Sequence, residues 1–490
     1  MSVLEASLKN SRLAGPLVRL ATITGNTITS WAKQSKLAGL LNIFAGVGNN
    51  AVLSGVLFWL ACVAVIAMFT LSTFSSTGMI GTSVALLLLL VLLRFVFAQN
   101  AFWKHLTIID LLVLDFYSSA VLSTAFSSYL HTSVVGLAKS MVFLAGYVSF
   151  RVINHVSILR QHKKPLYILL GLLALLGLIQ SLIGFYQFAN HIEPLATWVD
   201  PSINPELKMT RVFGTLQPSN PNLLAGFLIP CFASAVGLSL IALRKSTWLF
   251  SIISMAVAGA ILYALVLTGS RGAYLAIGGM LAAWFAIVGH MLWHDDNLKS
   301  AKQLKVVWLI ILIGSIGAIA LAVLSSEQLQ HRIASIFAMR DDSSIAYRLN
   351  VYNSVFGMIK HNWLVGIGPG NETFKLVYGL YMVPGYNALG AYSVPLEIAV
   401  EQGIIGVLIF GLLLVSILIR SILGIDSSAT HNTLGDKFLL GLLFTGILGS
   451  IIYGFFDTIW YRPAVNLPFW FFVAAFAVQS ERMLAPDEHR

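Results

Sequence analysis

Apolar residues run in long blocks along this 490-residue chain, and polar residues collect in the gaps between them. A block of about 18 or more apolar residues is the length an α-helix needs to cross a bilayer. The pattern predicts an all-α polytopic membrane protein with about 12 transmembrane helices. Their expected spans are roughly 52–72, 79–98, 108–130, 134–150, 166–188, 222–243, 247–268, 273–293, 307–325, 396–420, 438–457 and 463–480. Two longer polar stretches interrupt the rhythm, at about 189–221 and about 326–395. The second, between helices 9 and 10, is too long for a structureless loop and is expected to fold. Its part from Ser335 to Lys360 has helical spacing, with Asp342 or Ser343 as N-cap. Gly366-Ile-Gly-Pro-Gly-Asn371 after it reads as a tight turn.

Composition agrees with the pattern: 57% hydrophobic, 10% charged and a mean hydropathy of +0.83. The distribution of Lys and Arg orients the helices. With the N-terminus in the cytoplasm, Arg151, Arg160, Lys163, Lys164, Arg244, Lys245, Lys299, Lys302 and Lys305 all fall at inner ends. Both termini are then cytoplasmic, and the long loop between helices 9 and 10 is external. The net charge of +10 is accounted for by this bias and a basic N-terminal arm, with no need of nucleic acid. Residues 1–50 form that cytoplasmic or interfacial arm, and 51–490 a single membrane domain. The arm lacks the clean apolar core of a signal peptide. Cys62 and Cys231 fall in apolar spans and read as small hydrophobes. No metal-spaced cluster, Walker motif or dinucleotide fingerprint occurs, so no cofactor is expected.

Arg271 stands in Leu267-Thr-Gly-Ser-Arg-Gly-Ala-Tyr274, a polar break between two apolar runs. A charge there faces a polar cavity or a charged ligand, or it snorkels to the interface. Arg211 opens Arg-Val-Phe-Gly-Thr-Leu-Gln-Pro-Ser-Asn-Pro-Asn222 at the mouth of the sixth span. Its planar guanidinium suits phosphate or carboxylate oxygens, and headgroup anchoring is the alternative. Asn220 and Asn222 offer uncharged donors, and either can cap the helix. Glu397 and Glu401 share a helix face at the start of the tenth span. One of them acts as a base or orients an arginine, unless both serve only the helix dipole. Asp110 and Asp115 suit rim or packing roles. Topology puts Arg211, Arg271 and the long loop on one outer side, where they converge on an external cavity.

Three stretches carry a resemblance: RVFGTLQPSNPN, LTGSRGAYLA, and the loop from YRLNVYNSVFGMIKHNWLVGIGPGN to LEIAVEQGIIG. With them the chain resembles the O-antigen ligase and polymerase superfamily of bacterial inner-membrane proteins. It is most similar to the cyanobacterial branch labelled as inorganic-carbon (bicarbonate) transporters. The resemblance implies metal-independent glycosyl transfer from an undecaprenyl-diphosphate-linked glycan on the outer face of the plasma membrane. Arg211 and Arg271 would hold the diphosphate, with Asn220, Asn222, Arg348 and His361 as further ligand contacts. Ligases of the family place a histidine, as base for the acceptor hydroxyl, nine residues before the glutamate matching Glu401. Here that position is Tyr392, a poor base at neutral pH. A small anion such as bicarbonate, carried by a transporter or an accessory protein, is the alternative.

Overall fold

The computed structural model describes residues 14–23, 51–74, 77–97, 106–159, 163–194, 210–245, 247–294, 302–325, 343–427, 433–458 and 460–484, with a few isolated positions besides. The described residues form fifteen helices. These are α1 (Ala14–Ala21), α2 (Ala51–Phe74), α3 (Thr77–Phe97), α4 (Ile108–Ala125), α5 (Leu130–Leu159), α6 (Lys164–Ala189), α7 (Pro221–Arg244), α8 (Trp248–Leu267), α9 (Arg271–His294), α10 (Lys302–Leu324), α11 (Ser343–His361), α12 (Asn371–Tyr378), α13 (Val394–Asp426), α14 (Leu434–Gly454) and α15 (Pro463–Leu484). Ten of the described helices are long and apolar enough to cross a membrane. The protein is therefore an all-helical, multi-pass membrane protein. Helices also stand at the remaining two expected spans, as α3 and α10.

The bundle has an inside and a lipid side. The spans of α7 and α15 are 89% and 94% buried, whereas α8 is only 33% buried. Along α8 the side chains of Trp248, Leu249, Phe250, Ile252 and Ile253 are exposed, and along α10 those of Ile310, Ile311, Ile313 and Ile316. An apolar surface of that extent fits hydrocarbon rather than water. Small residues let the inner helices approach closely: a Cβ on Gly237 of α7 would overlap the Leu442 side chain of α14.

The long loop folds, as its length requires. Val351, Val355, Met358, Phe374, Val377 and Ala391 bury a small core of their own around α11 and α12. The helix expected from Ser335 is observed from Ser343; residues 335–342 and the proposed Asp342 cap lie outside the described residues. Most of the 1–50 arm and the centre of 189–221 do so too. Of the arm, α1 docks on α13, where Arg420 Nη1 donates to the Ala21 carbonyl at 2.9 Å. Cys62 and Cys231 are buried free thiols.

Candidate functional site: an arginine cluster and a carboxylate pair

The glycine turn and a break in α13 form one unit. Gly403 has φ 62° and ψ −160°, which interrupts the helix and releases the carbonyls before it. Ile367 N–H donates to the Val400 carbonyl at 2.9 Å, and Gly368 N–H to that of Glu401 at 3.1 Å. Ser123 of α4 also donates to the Glu401 carbonyl. Gly366, Gly368 and Gly370 have φ of 77°, 97° and 113°, so the turn uses conformations that other residues resist. A Cβ on Gly366 would lie 2.4 Å from the Glu401 backbone. The motif is thus the only backbone that fits over the break, and it ends by donating Gly370 N–H to Glu401 Oε1 at 2.6 Å.

Arg211 reaches the turn between α8 and α9, which leads into Arg271 at the start of α9. Arg211 Nε donates to the Thr268 carbonyl at 2.7 Å, and a Cβ on Gly269 would touch the Arg211 side chain. The segment bearing Arg211 is pinned from α6. Gln187 accepts from Phe213 and Gly214 N–H at 3.0 and 2.9 Å, and Gln180 accepts from Thr215 N–H at 2.9 Å. Asn220 caps α7, accepting from Asn222 N–H at 2.8 Å. The Asn222 side chain accepts from Arg211 Nη2 at 2.8 Å and donates to Asp457 Oδ2 at 2.7 Å.

Asp457 joins the two halves of the site. Its Oδ2 lies 3.5 Å from Arg348 Nη2 of α11, and Arg348 Nη1 donates to the Phe456 carbonyl at 2.5 Å. Arg271 opens α9, and its neighbour Gly272 packs directly against Tyr453 and Phe456. Arg348 directly, Arg211 through Asn222, and the helix start that bears Arg271 through Ser270 and Gly272 thus all reach one turn, 453–458. Arginines brought to one turn at the end of a membrane bundle suit an anion with several oxygens.

Tyr392 stands beside them, with the Arg348 guanidinium 5.7 Å from its ring centre. It holds φ 51°, a left-handed conformation costing roughly 1–2 kcal/mol in a residue with a Cβ. Its carbonyl accepts from Tyr352 Oη at 3.3 Å. Burial first, and then Tyr347 and Asp457, push its phenol well above the ordinary value of 10, against a smaller opposing effect of Arg348. Tyr392 is thus neutral at physiological pH: a ring platform and hydrogen-bond donor rather than a base.

His361 is placed elsewhere. It lies thirteen residues along α11 from Arg348, about 20 Å at helical rise. There it packs on Tyr381 and its Nδ1 lies 2.9 Å from the Gly357 carbonyl.

Glu397 and Glu401 share a face, but their partners are not arginines. Tyr461 Oη donates to Glu401 Oε1 at 2.6 Å and also contacts Glu397 Oε1. Thr458 Oγ1 and Ala391 N–H donate to Glu397 Oε2 at 2.6 and 3.3 Å. Asp457 and Tyr461 escaped the sequence reading. Their one signal was position, in the polar gap between the last two spans.

Asp110 lies in a packing role at the other end of α4. Its Oδ1 is 2.8 Å from Arg151 Nε and accepts from Tyr147 Oη at 2.7 Å, while Thr107 completes a capping box.

No curated protein matches the chain. Residues 255–411 match the sequence profile of the O-antigen ligase family, a segment that includes Arg271, Arg348, Tyr392 and Glu401 and excludes Arg211. The protein is thus a multi-pass membrane protein in which the segment 255–411 is similar to the O-antigen ligase family.

Proposed function

We propose that the protein handles an undecaprenyl-diphosphate-linked glycan on the outer face of the bacterial plasma membrane, as a metal-independent glycosyltransferase. The observation that carries this is that the segments bearing Arg211, Arg271 and Arg348 reach one turn at the bundle end, two of the three arginines lying inside the matched segment. A lipid diphosphate meets such a site naturally. Its isoprenoid tail lies in hydrocarbon, and its phosphate oxygens reach the guanidiniums where the helices end. As the glycosidic bond breaks, negative charge grows on the diphosphate, and donors already aimed at it lower the barrier. Asn222 holds Arg211 in place before substrate arrives, while Asp457 pairs only loosely with Arg348.

The test is genetic and chemical together. In a strain lacking the protein, Arg211→Ala or Arg271→Ala expressed at wild-type level should fail to restore surface glycan. Lipid-linked glycan should accumulate in extracted membranes. A loss of at least 100-fold in transfer is expected for donors that stabilise transition-state charge. Unchanged glycan profiles in both variants would overturn the reading.

A further inference from the structure

Tyr392 is neutral and Asp457 is engaged with Arg348 and Asn222, which leaves the acceptor's proton to another group. Beside the 453–458 turn lies a second site with that capacity. Asp457 faces the arginines, whereas the next residue, Thr458, donates to Glu397. The two sites thus adjoin at one peptide, whose Cα atoms are about 3.8 Å apart. The second is a cavity of about 70 Å³ lined by Glu397, Glu401, Tyr461, Asn466 and the aromatic rings of Trp460 and Trp470. That volume admits a hydroxyl-bearing edge of a sugar, not a whole ring.

Polar inventory assigns the roles. Tyr461 has one proton but lies within hydrogen-bonding distance of both carboxyls. One contact must therefore use a proton carried by a carboxyl. Glu401 Oε1 already accepts from Gly370 N–H, which favours the ionised form there. The proton then sits on Glu397 Oε1 and is donated to the Tyr461 oxygen, while Tyr461 donates to Glu401 Oε1. Among the described residues Glu401 Oε2 has no partner of its own, and Glu401 lines the cavity. Asn466 is 4% exposed and lines the same cavity, and its Oδ1 has no hydrogen-bond partner among the described residues. A buried acceptor of that kind calls for a ligand donor. Both unoccupied oxygens thus ask for O–H groups.

We infer that this cavity receives the acceptor hydroxyl of a sugar and that Glu401 Oε2 is the general base, with Glu397 and Tyr461 as positioning residues that keep it ionised and aimed. The inference rests on the glycan-transfer reading. In the step, the acceptor oxygen bonds to the anomeric carbon as the carbon–oxygen bond to the diphosphate breaks. The leaving diphosphate takes that electron pair, held by the arginines, and the acceptor proton passes to Glu401 Oε2.

The experiment compares full-length variants in membranes of the deletion strain, with undecaprenyl diphosphate as binding probe for the purified proteins. Glu401→Gln should lower glycan transfer by about 10²- to 10⁴-fold, the usual contribution of a general base, while binding the probe like wild type. Wild-type transfer should rise and fall with pH, the acid limb reporting Glu401 and the alkaline limb the Glu397 proton. Glu397→Gln should keep the acid limb and lose the alkaline one, a change that a merely structural role would not produce. If Glu401→Gln fails to fold, Glu401→Asp and the Glu397→Gln profile decide. Wild-type transfer by Glu401→Gln, or an unaltered profile in Glu397→Gln, overturns the proposal. Failure of the wild-type protein to bind the probe would instead sink the lipid-diphosphate reading itself.

Discussion

Two arginine–aspartate pairs, far apart in the bundle, show how one pair of residue types serves opposite ends. Arg151 and Asp110 lie 2.8 Å apart with 1% and 4% of their side chains exposed, and Tyr147 and Thr107 complete the aspartate's shell. Arg348 and Asp457 lie 3.5 Å apart with 26% and 14% exposed, and Asp457 shares its oxygen with Asn222. The first pair is closed: geometry and burial make each group depend on the other. The second is loose and open enough for an incoming anion to compete with Asp457 for Arg348. A tight pair marks where the helices are locked together, and a loose one marks where a ligand can enter.

That contrast can be broken in three ways. The largest effect is expected at the closed pair. Asp110→Ala leaves Arg151 buried without its carboxylate and should cost about 3–5 kcal/mol, read as a fall in the thermal unfolding midpoint of detergent-solubilised protein. The same change at the open pair should behave differently. Asp457→Asn should alter stability by less than about 1 kcal/mol, as expected for a partly exposed pair, and tighten undecaprenyl diphosphate binding a few-fold. Weaker binding would mean that Asp457 positions the arginine rather than competing for it. The smallest effect concerns Tyr392 and Tyr461. Burial, together with nearby negative charge, holds both phenols above their ordinary value, so the folded state keeps their protons more firmly than the unfolded chain does. Their stabilisation is fully present below about pH 10 and is lost as pH rises further. Tyr392→Phe should therefore lessen the fall in unfolding midpoint above pH 10 and leave it unchanged below pH 9.

Hydropathy served unevenly as a guide to the bundle. It placed every expected span on a helix, because a run of apolar residues has no other backbone solution in hydrocarbon. It did not rank the helices by depth. The most buried span, α15, has a mean hydropathy of 1.3, whereas α13 reaches 2.6 and is 39% buried. The inner helix α15 buries Asn466, Gln479 and Ser480, polar groups that lower its hydropathy and that neighbouring helices shield from lipid.

The site divided in the same way. Arg211 and Arg271 were legible because a charge at the rim of an apolar span is costly enough to need a reason. The glycine turn was legible because its spacing admits few backbones. Asp457 and Tyr461 were not, since a lone aspartate and a lone tyrosine in a short loop look like any interfacial polar residues. Tyr461 lies sixty residues from Glu401, and nothing local links the two. His361 looked as suitable as Arg348 in the same helix, yet thirteen residues of helical rise carry it away from the arginines.

Local chemistry, then, was determined by the sequence alone: which segments seek hydrocarbon, which must bend, and which guanidiniums suit an anion. Each of these follows from the transfer free energy or steric limits of neighbouring residues. Which groups meet was decided only by tertiary structure. Packing of α4, α7, α13 and the 453–458 turn set one carboxylate between the arginines and two others around a shared phenol. Those encounters join residues far apart in the chain, and no local rule specifies them.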